Sequence, residues 1–107
     1  MKIKKLIIKK IKNYIEYRKY KKIGLPYSEF LLLKNKSKKD TSVLFGKELK
    51  ITDSFWHLHS LYELFVEEVY AFNSKKDKPK IIDCGSNIGL SIIFFKRRFP
   101  NAEIIAF

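Results

Sequence analysis

The chain has 107 residues, 46% apolar and 15% aromatic, with 32% charged and a formal net charge of +12. That apolar share is enough to build a core and excludes a disordered chain. Four Gly and three Pro exclude collagen-like or linker sequence, and one Cys excludes an internal disulfide framework and an all-cysteine zinc site.

The charge is uneven. Residues 1–24 hold nine Lys and Arg18 against Glu16 alone, a net +9, which leaves +3 for the rest. The basicity belongs to the first segment, so the high isoelectric point does not by itself imply a nucleic-acid partner, and none is expected. Residues 2–22 read as a basic helix. Ile3, Ile7, Ile11, Tyr14 and Ile15 recur at spacings of three and four, while Lys2, Lys5, Lys9 and Lys12 fall elsewhere. Gly24 and Pro26 end it. The segment has neither the uninterrupted apolar stretch nor the small-residue cleavage site of a secretory signal, and no apolar run approaches the roughly 20 residues that span a bilayer. Two readings stand. In one the helix anchors the chain peripherally on an anionic membrane from the cytoplasmic side. In the other it is a solvated helix that packs its Ile stripe on the domain.

Residues 34–40 form a polar loop, so 1–40 is taken as a basic helix and loop. Residues 42–45 and 48–52 are strand-like runs around Gly46-Lys47, which predicts a hairpin. Asp53 and Ser54 are helix N-cap candidates. From 55 to 72 the apolar residues Leu58, Leu61 or Tyr62, Phe65, Val69 and Phe72 keep a helical period, with Trp56 read as a core anchor. His57 and His59 are two apart and point in different directions on a helix, so they read as ordinary surface or packing histidines, and no metal site is expected. Hairpin and helix make up 41–77.

Residues 78–107 change pattern. A short apolar strand at 80–82 leads to a glycine turn at 85–89, an apolar-rich helix at 90–99 and a second apolar strand at 103–107. Strand, turn, helix and strand in this span predict a βαβ unit with parallel strands. Asp83 stands at the strand's end, where open α/β sheets bind ligands and where its carboxylate can accept hydrogen bonds. Gly85 permits a tight turn and close approach of a ligand to the backbone, and Gly89 lets the helix start pack close to the strand. Cys84 is expected to face the interior. A dinucleotide fingerprint counted from Gly85 fails at Asn87 and Leu90, and no phosphate-loop Gly-Lys-Ser/Thr follows.

What remains is Asp-x-Gly-x-Asn-x-Gly: Asp83, Gly85, Asn87, Gly89. It resembles motif I of the class I S-adenosylmethionine-dependent methyltransferases, with Asn, a residue that tolerates positive φ, at the middle position. Within that superfamily, KPKIIDCGSNIGLSIIFFKRRFPNAEIIAF (78–107) resembles the FkbM-type methyltransferases, including the Asn-Ile-Gly turn and the Phe-Pro-Asn-Ala step. The block ITDSFWHLHSLYELFVEEVYAF resembles the region before motif I in some of them. The resemblance covers about residues 48–107.

The resemblance implies a Rossmann-like α/β fold preceded by a mainly helical extension and hairpin, with S-adenosylmethionine as cofactor. Asp83, Gly85, Ser86, Asn87 and Gly89 would line the methionine end. In the family, Ala-Phe-Glu-Pro closes the second strand and its Glu holds the ribose; here the sequence reads Ala106-Phe107. On this reading the chain is the N-terminal part of a methyltransferase, inactive by itself, whose complete form acts on a hydroxyl of a small-molecule or glycan acceptor. No general base is assigned. The alternatives are a non-catalytic membrane-surface or interaction module and an inactive truncated product. Two strands with one crossover helix also make a poor sheet core, which points the same way.

Overall fold

A computed structural model describes residues 2–85 and 89–107. The chain is mixed α/β, with two two-stranded sheets, and divides into compact units at residues 1–59 and 60–107.

The first unit begins with α1 (Lys2–Lys21) and α2 (Tyr27–Lys34). Gly24, at φ +70, turns the chain between them, and a Cβ there would stand 3.2 Å from the Phe45 Cα. Tyr17 and Tyr20 of α1 are buried and pack their rings on the fully buried Phe30 of α2, with centroids 5.5 and 5.2 Å away. The Tyr17 hydroxyl donates to the Leu25 carbonyl. Lys34 pairs with Glu16 across the two helices. Residues 27–34 were not expected to be helical. Their signals are polar and terminal: Glu29 in the first turn and Lys34 in the last complement the helix dipole. The Ile stripe of α1 does not pack on the domain. Ile3 is 74% exposed and Ile15 is 57% exposed, beside the buried Tyr17.

Strands β1 (Thr41–Leu44) and β2 (Lys47–Lys50) form the expected hairpin, with Leu44 opposite Lys47. The turn residues are Phe45 and Gly46, one position earlier than predicted, at φ +51 and +76. Two central residues with positive φ are the mark of a type I′ turn, which matches the strands' twist. Glu29 is buried and accepts from Ser42 Oγ at 3.0 Å and from Lys39 Nζ at 2.7 Å.

Helix α3 (Ser54–Leu61) starts as predicted: the Asp53 side chain accepts the Trp56 N–H at 2.9 Å. Trp56 is not a core anchor. It is 62% exposed, because the buried face of α3 runs through Ser54, His57 and Leu61. His57 is buried and His59 exposed, on different faces as their spacing requires. The helix ends well before residue 72. It passes into a π-helical turn (Tyr62–Val66), where Glu67 N–H bonds the Tyr62 carbonyl, and then stops at Glu68 with φ +53. Val69 N–H reaches back six residues to the Glu63 carbonyl at 3.1 Å, one residue wider than a Schellman closure, and Glu68 holds the left-handed position that Gly normally takes at a helix end.

In the second unit, β3 (Lys80–Asp83), α4 (Leu90–Arg98) and β4 (Glu103–Ala106) form the expected βαβ unit. The strands are parallel, with Ile81 opposite Ile104 and Ile82 opposite Ile105. Leu90, Phe94, Phe95 and Ala102 are buried with Ile81, and Phe94 meets Phe65 edge-on at 5.8 Å. Phe72 lies on Phe99 at 4.8 Å, and Arg98 Nε donates to the Phe72 carbonyl at 2.8 Å, which ties the segment before β3 to the end of α4.

Candidate functional site

The βαβ unit places Asp83 and the glycines at one end of the strand pair. The β3–β4 ladder continues past its last paired strand residues: Phe107 N–H donates to the Asp83 carbonyl at 2.9 Å, and Gly85 N–H donates to the Phe107 carbonyl at 3.1 Å. The Gly85 N–H is therefore spent on the sheet and is not a donor for a ligand. Gly85 instead supplies its backbone geometry, φ +89, a conformation that L side chains rarely adopt.

Gly89 is the N-cap of α4, also at φ +89, and α4 opens with Ile93 N–H on the Gly89 carbonyl at 3.1 Å. The expectation that Gly89 serves close helix–strand packing is corrected here: no described residue stands within 4 Å of where its Cβ would be, and the same holds at Gly85. Both glycines are required by conformation, and no described residue fills the space beside either. Ser86 and Asn87 lie outside the described residues.

Asp83 closes β3 and is half-buried. Its Oδ2 accepts a hydrogen bond from Ser91 Oγ, in the first turn of α4. Ser91 is buried, so strand tip and helix start are joined by a charge-assisted bond across the glycine turn. Sequence reasoning missed Ser91. A hydroxyl within an otherwise apolar helix start was the available signal. Cys84 is exposed, contrary to expectation, because alternation along β3 puts Ile81 inward and leaves the residue after Asp83 at the open turn.

Elsewhere, the described residues hold no group of three or more metal-ligating side chains, and no helix among them is long and apolar enough to cross a membrane. A shallow pocket in the first unit, lined by Lys36, Lys39, Asp53 and Phe55 among others, includes none of the predicted site residues.

A stretch of 45 residues is 40% identical to Methyltransferase sdnD of Sordaria araneosa, covering 42% of this chain and 17% of that protein. The similarity is to methyltransferases. A second match, 32% identical over 68 residues, is to Methyltransferase 1 of Beauveria bassiana and covers 64% of this chain and 26% of that protein. The chain thus spans 26% or less of the length of these two relatives. No family model and no solved structure matches it.

Proposed function

We propose that this chain carries the cofactor-binding corner of an S-adenosylmethionine-dependent methyltransferase of the FkbM type, on a Rossmann-like sheet. The observation that carries the reading is the corner itself. A carboxylate at the tip of a parallel strand is followed by two glycines at φ +89, and no described residue fills the space beside either. The partial similarity to two fungal methyltransferases supports the same chemistry.

The residues present fit the methionine end of the cofactor. Asp83 offers a carboxylate that Ser91 already orients, suited to a cationic amino group. No described residue occupies the space beside Gly85 and Gly89, where the ligand would lie against the backbone. The N-terminus of α4, which opens at Gly89, would favour a ligand carboxylate through the helix dipole. The ladder sets Phe107 beside Asp83 and Gly85 at the same corner. The bound cofactor supplies the methyl group; the protein's part is to hold and orient it. The acceptor is proposed to be a hydroxyl of a small molecule or glycan.

Calorimetric titration with S-adenosylmethionine tests this. The expected result is weak binding that Gly85→Val abolishes, with circular dichroism unchanged. Asp83→Asn should weaken it by roughly tenfold or more, the loss of one charge-assisted hydrogen bond. Absence of binding, or binding undiminished in Gly85→Val, would leave the turn as a structural corner only.

A further inference from the structure

The first fourteen or so residues of α1 present a surface that the fold does not use. At 100° per residue, Tyr17 and Tyr20 mark the arc that meets α2. Ile3, Ile7, Ile11 and Ile15 centre about 130° round the helix from that arc, with Ile8 at one margin and Leu6 on the Tyr17–Tyr20 side. All six aliphatic side chains are exposed. Lys5, Lys9 and Lys12 occupy the opposite side and are exposed as well. Lys4, Lys10 and Arg18 border or interrupt the aliphatic stripe, where long stems can lie along apolar surface while the cationic heads reach past it. The helix has one acid, Glu16, and it is paired with Lys34.

From this geometry we infer that α1 is a peripheral docking element for an anionic lipid bilayer, lying in the plane of the headgroups. Charge complementarity selects the occupant. A surface bearing phosphate headgroups over hydrocarbon satisfies both halves of the helix: the lysines meet the phosphates, and the Ile stripe enters the acyl boundary. A nucleic acid would satisfy the cations but gains little from aliphatic side chains, since single strands are held by aromatic stacking. The one aromatic near the stripe, Tyr14, already has its ring against Tyr17 and Tyr27. A second copy of the chain would bring two strongly basic segments face to face, with only Glu16, already paired with Lys34, to offset them. The inference stands apart from the methyltransferase reading and uses none of its residues.

Co-sedimentation of the whole chain with vesicles tests it. The probes are phosphatidylcholine alone and phosphatidylcholine mixed with phosphatidylglycerol. The chain should bind the mixed vesicles, leave the neutral ones in solution, and release as salt rises. Lys9→Gln should lower partitioning about fivefold, the value of about 1 kcal/mol per cation near such a surface. Ile7→Asn with Ile11→Asn should lower it at least about tenfold, because their apolar area no longer leaves water. These positions lie outside the packing of Tyr17 and Tyr20 on Phe30, and circular dichroism checks that the fold is kept. Equal binding to neutral vesicles, or none to either, would overturn the inference. So would binding untouched by the Ile pair. Self-association without vesicles that the Ile pair abolishes would make a second copy the occupant, and preferential capture of a single-stranded RNA probe would make it nucleic acid; either result also overturns it.

Discussion

Ser91 and Asp83 lie eight positions apart, and one hydrogen bond between them fixes the corner on which the functional reading rests. Ser91→Ala should lower stability by about 1.5–3 kcal/mol, the cost of leaving a part-buried carboxylate without that donor. In urea denaturation the double variant with Asp83→Asn should lose less than the two single losses added together. No spacing rule links a strand-tip acid to a serine in the following helix, which is why Asp83 was legible in the sequence and Ser91 was not. His57 makes a second residue-level claim. Both its ring nitrogens are buried without a hydrogen-bond partner among the described residues. Burial lowers its pKa from 6.5 to about 4, against an opposing pull from Glu29. The unfolded chain takes up this proton near 6.5 and the folded chain only near 4, so between those values the unfolded state binds more protons. This contribution to stability is complete above pH 6.5 and is lost as pH falls toward 4, about 3 kcal/mol in all. His57→Leu should flatten the dependence, read as urea midpoints at neutral pH and at about pH 5. Equal slopes in both proteins would mean that another group governs it.

At the scale of elements, positive φ decides where the chain turns. Gly46 sits in the hairpin turn with open space at its Cβ position, whereas Gly24 faces the Phe45 backbone at 3.2 Å. Gly46→Ala should therefore cost only the left-handed strain, about 1–2 kcal/mol. Gly24→Ala should cost more, because backbone must also move. Thermal unfolding of the two variants gives the ranking, and the reverse order would contradict the packing described for the interhelical turn. The same elements show where sequence reading stops. Gly24, Asp53 and the glycine turn before α4 announce their boundaries, since each answers a backbone need that few residues meet. The end of α3 does not: Glu68 takes the left-handed position usually held by Gly, and the π-helical turn shifts the period so that Val69 and Phe72 no longer continue the buried stripe. The hairpin slipped by one residue for the same reason, with Phe45 at positive φ. Trp56 was misplaced because a large apolar side chain fixes no helix face; His57 and Leu61 took the inner one.

At the scale of the molecule, the βαβ unit and its strand-tip acid were readable because period, turn glycines and strand length agreed over 78–107. The site's centre was readable only as a pattern, since Asp-x-Gly-x-Asn-x-Gly names residue types and not partners. One feature of the sheet follows from its apolar strands. Ile82 and Ile105 are neighbours in register and exposed, Ile82 at 70%, whereas parallel sheets are normally covered on both faces. Ile82→Thr with Ile105→Thr should reduce concentration-dependent self-association in light scattering while keeping β propensity. The central claim, that the corner of Asp83, Gly85 and Gly89 receives the methionine end of S-adenosylmethionine, is tested most directly by an amide-resolved NMR titration with two ligands. S-adenosylmethionine should shift Asp83, Gly85, Gly89 and Ser91, and methylthioadenosine, which lacks the amino-acid end, should leave those four unmoved. Equal shifts from both ligands, or none from either, would contradict it.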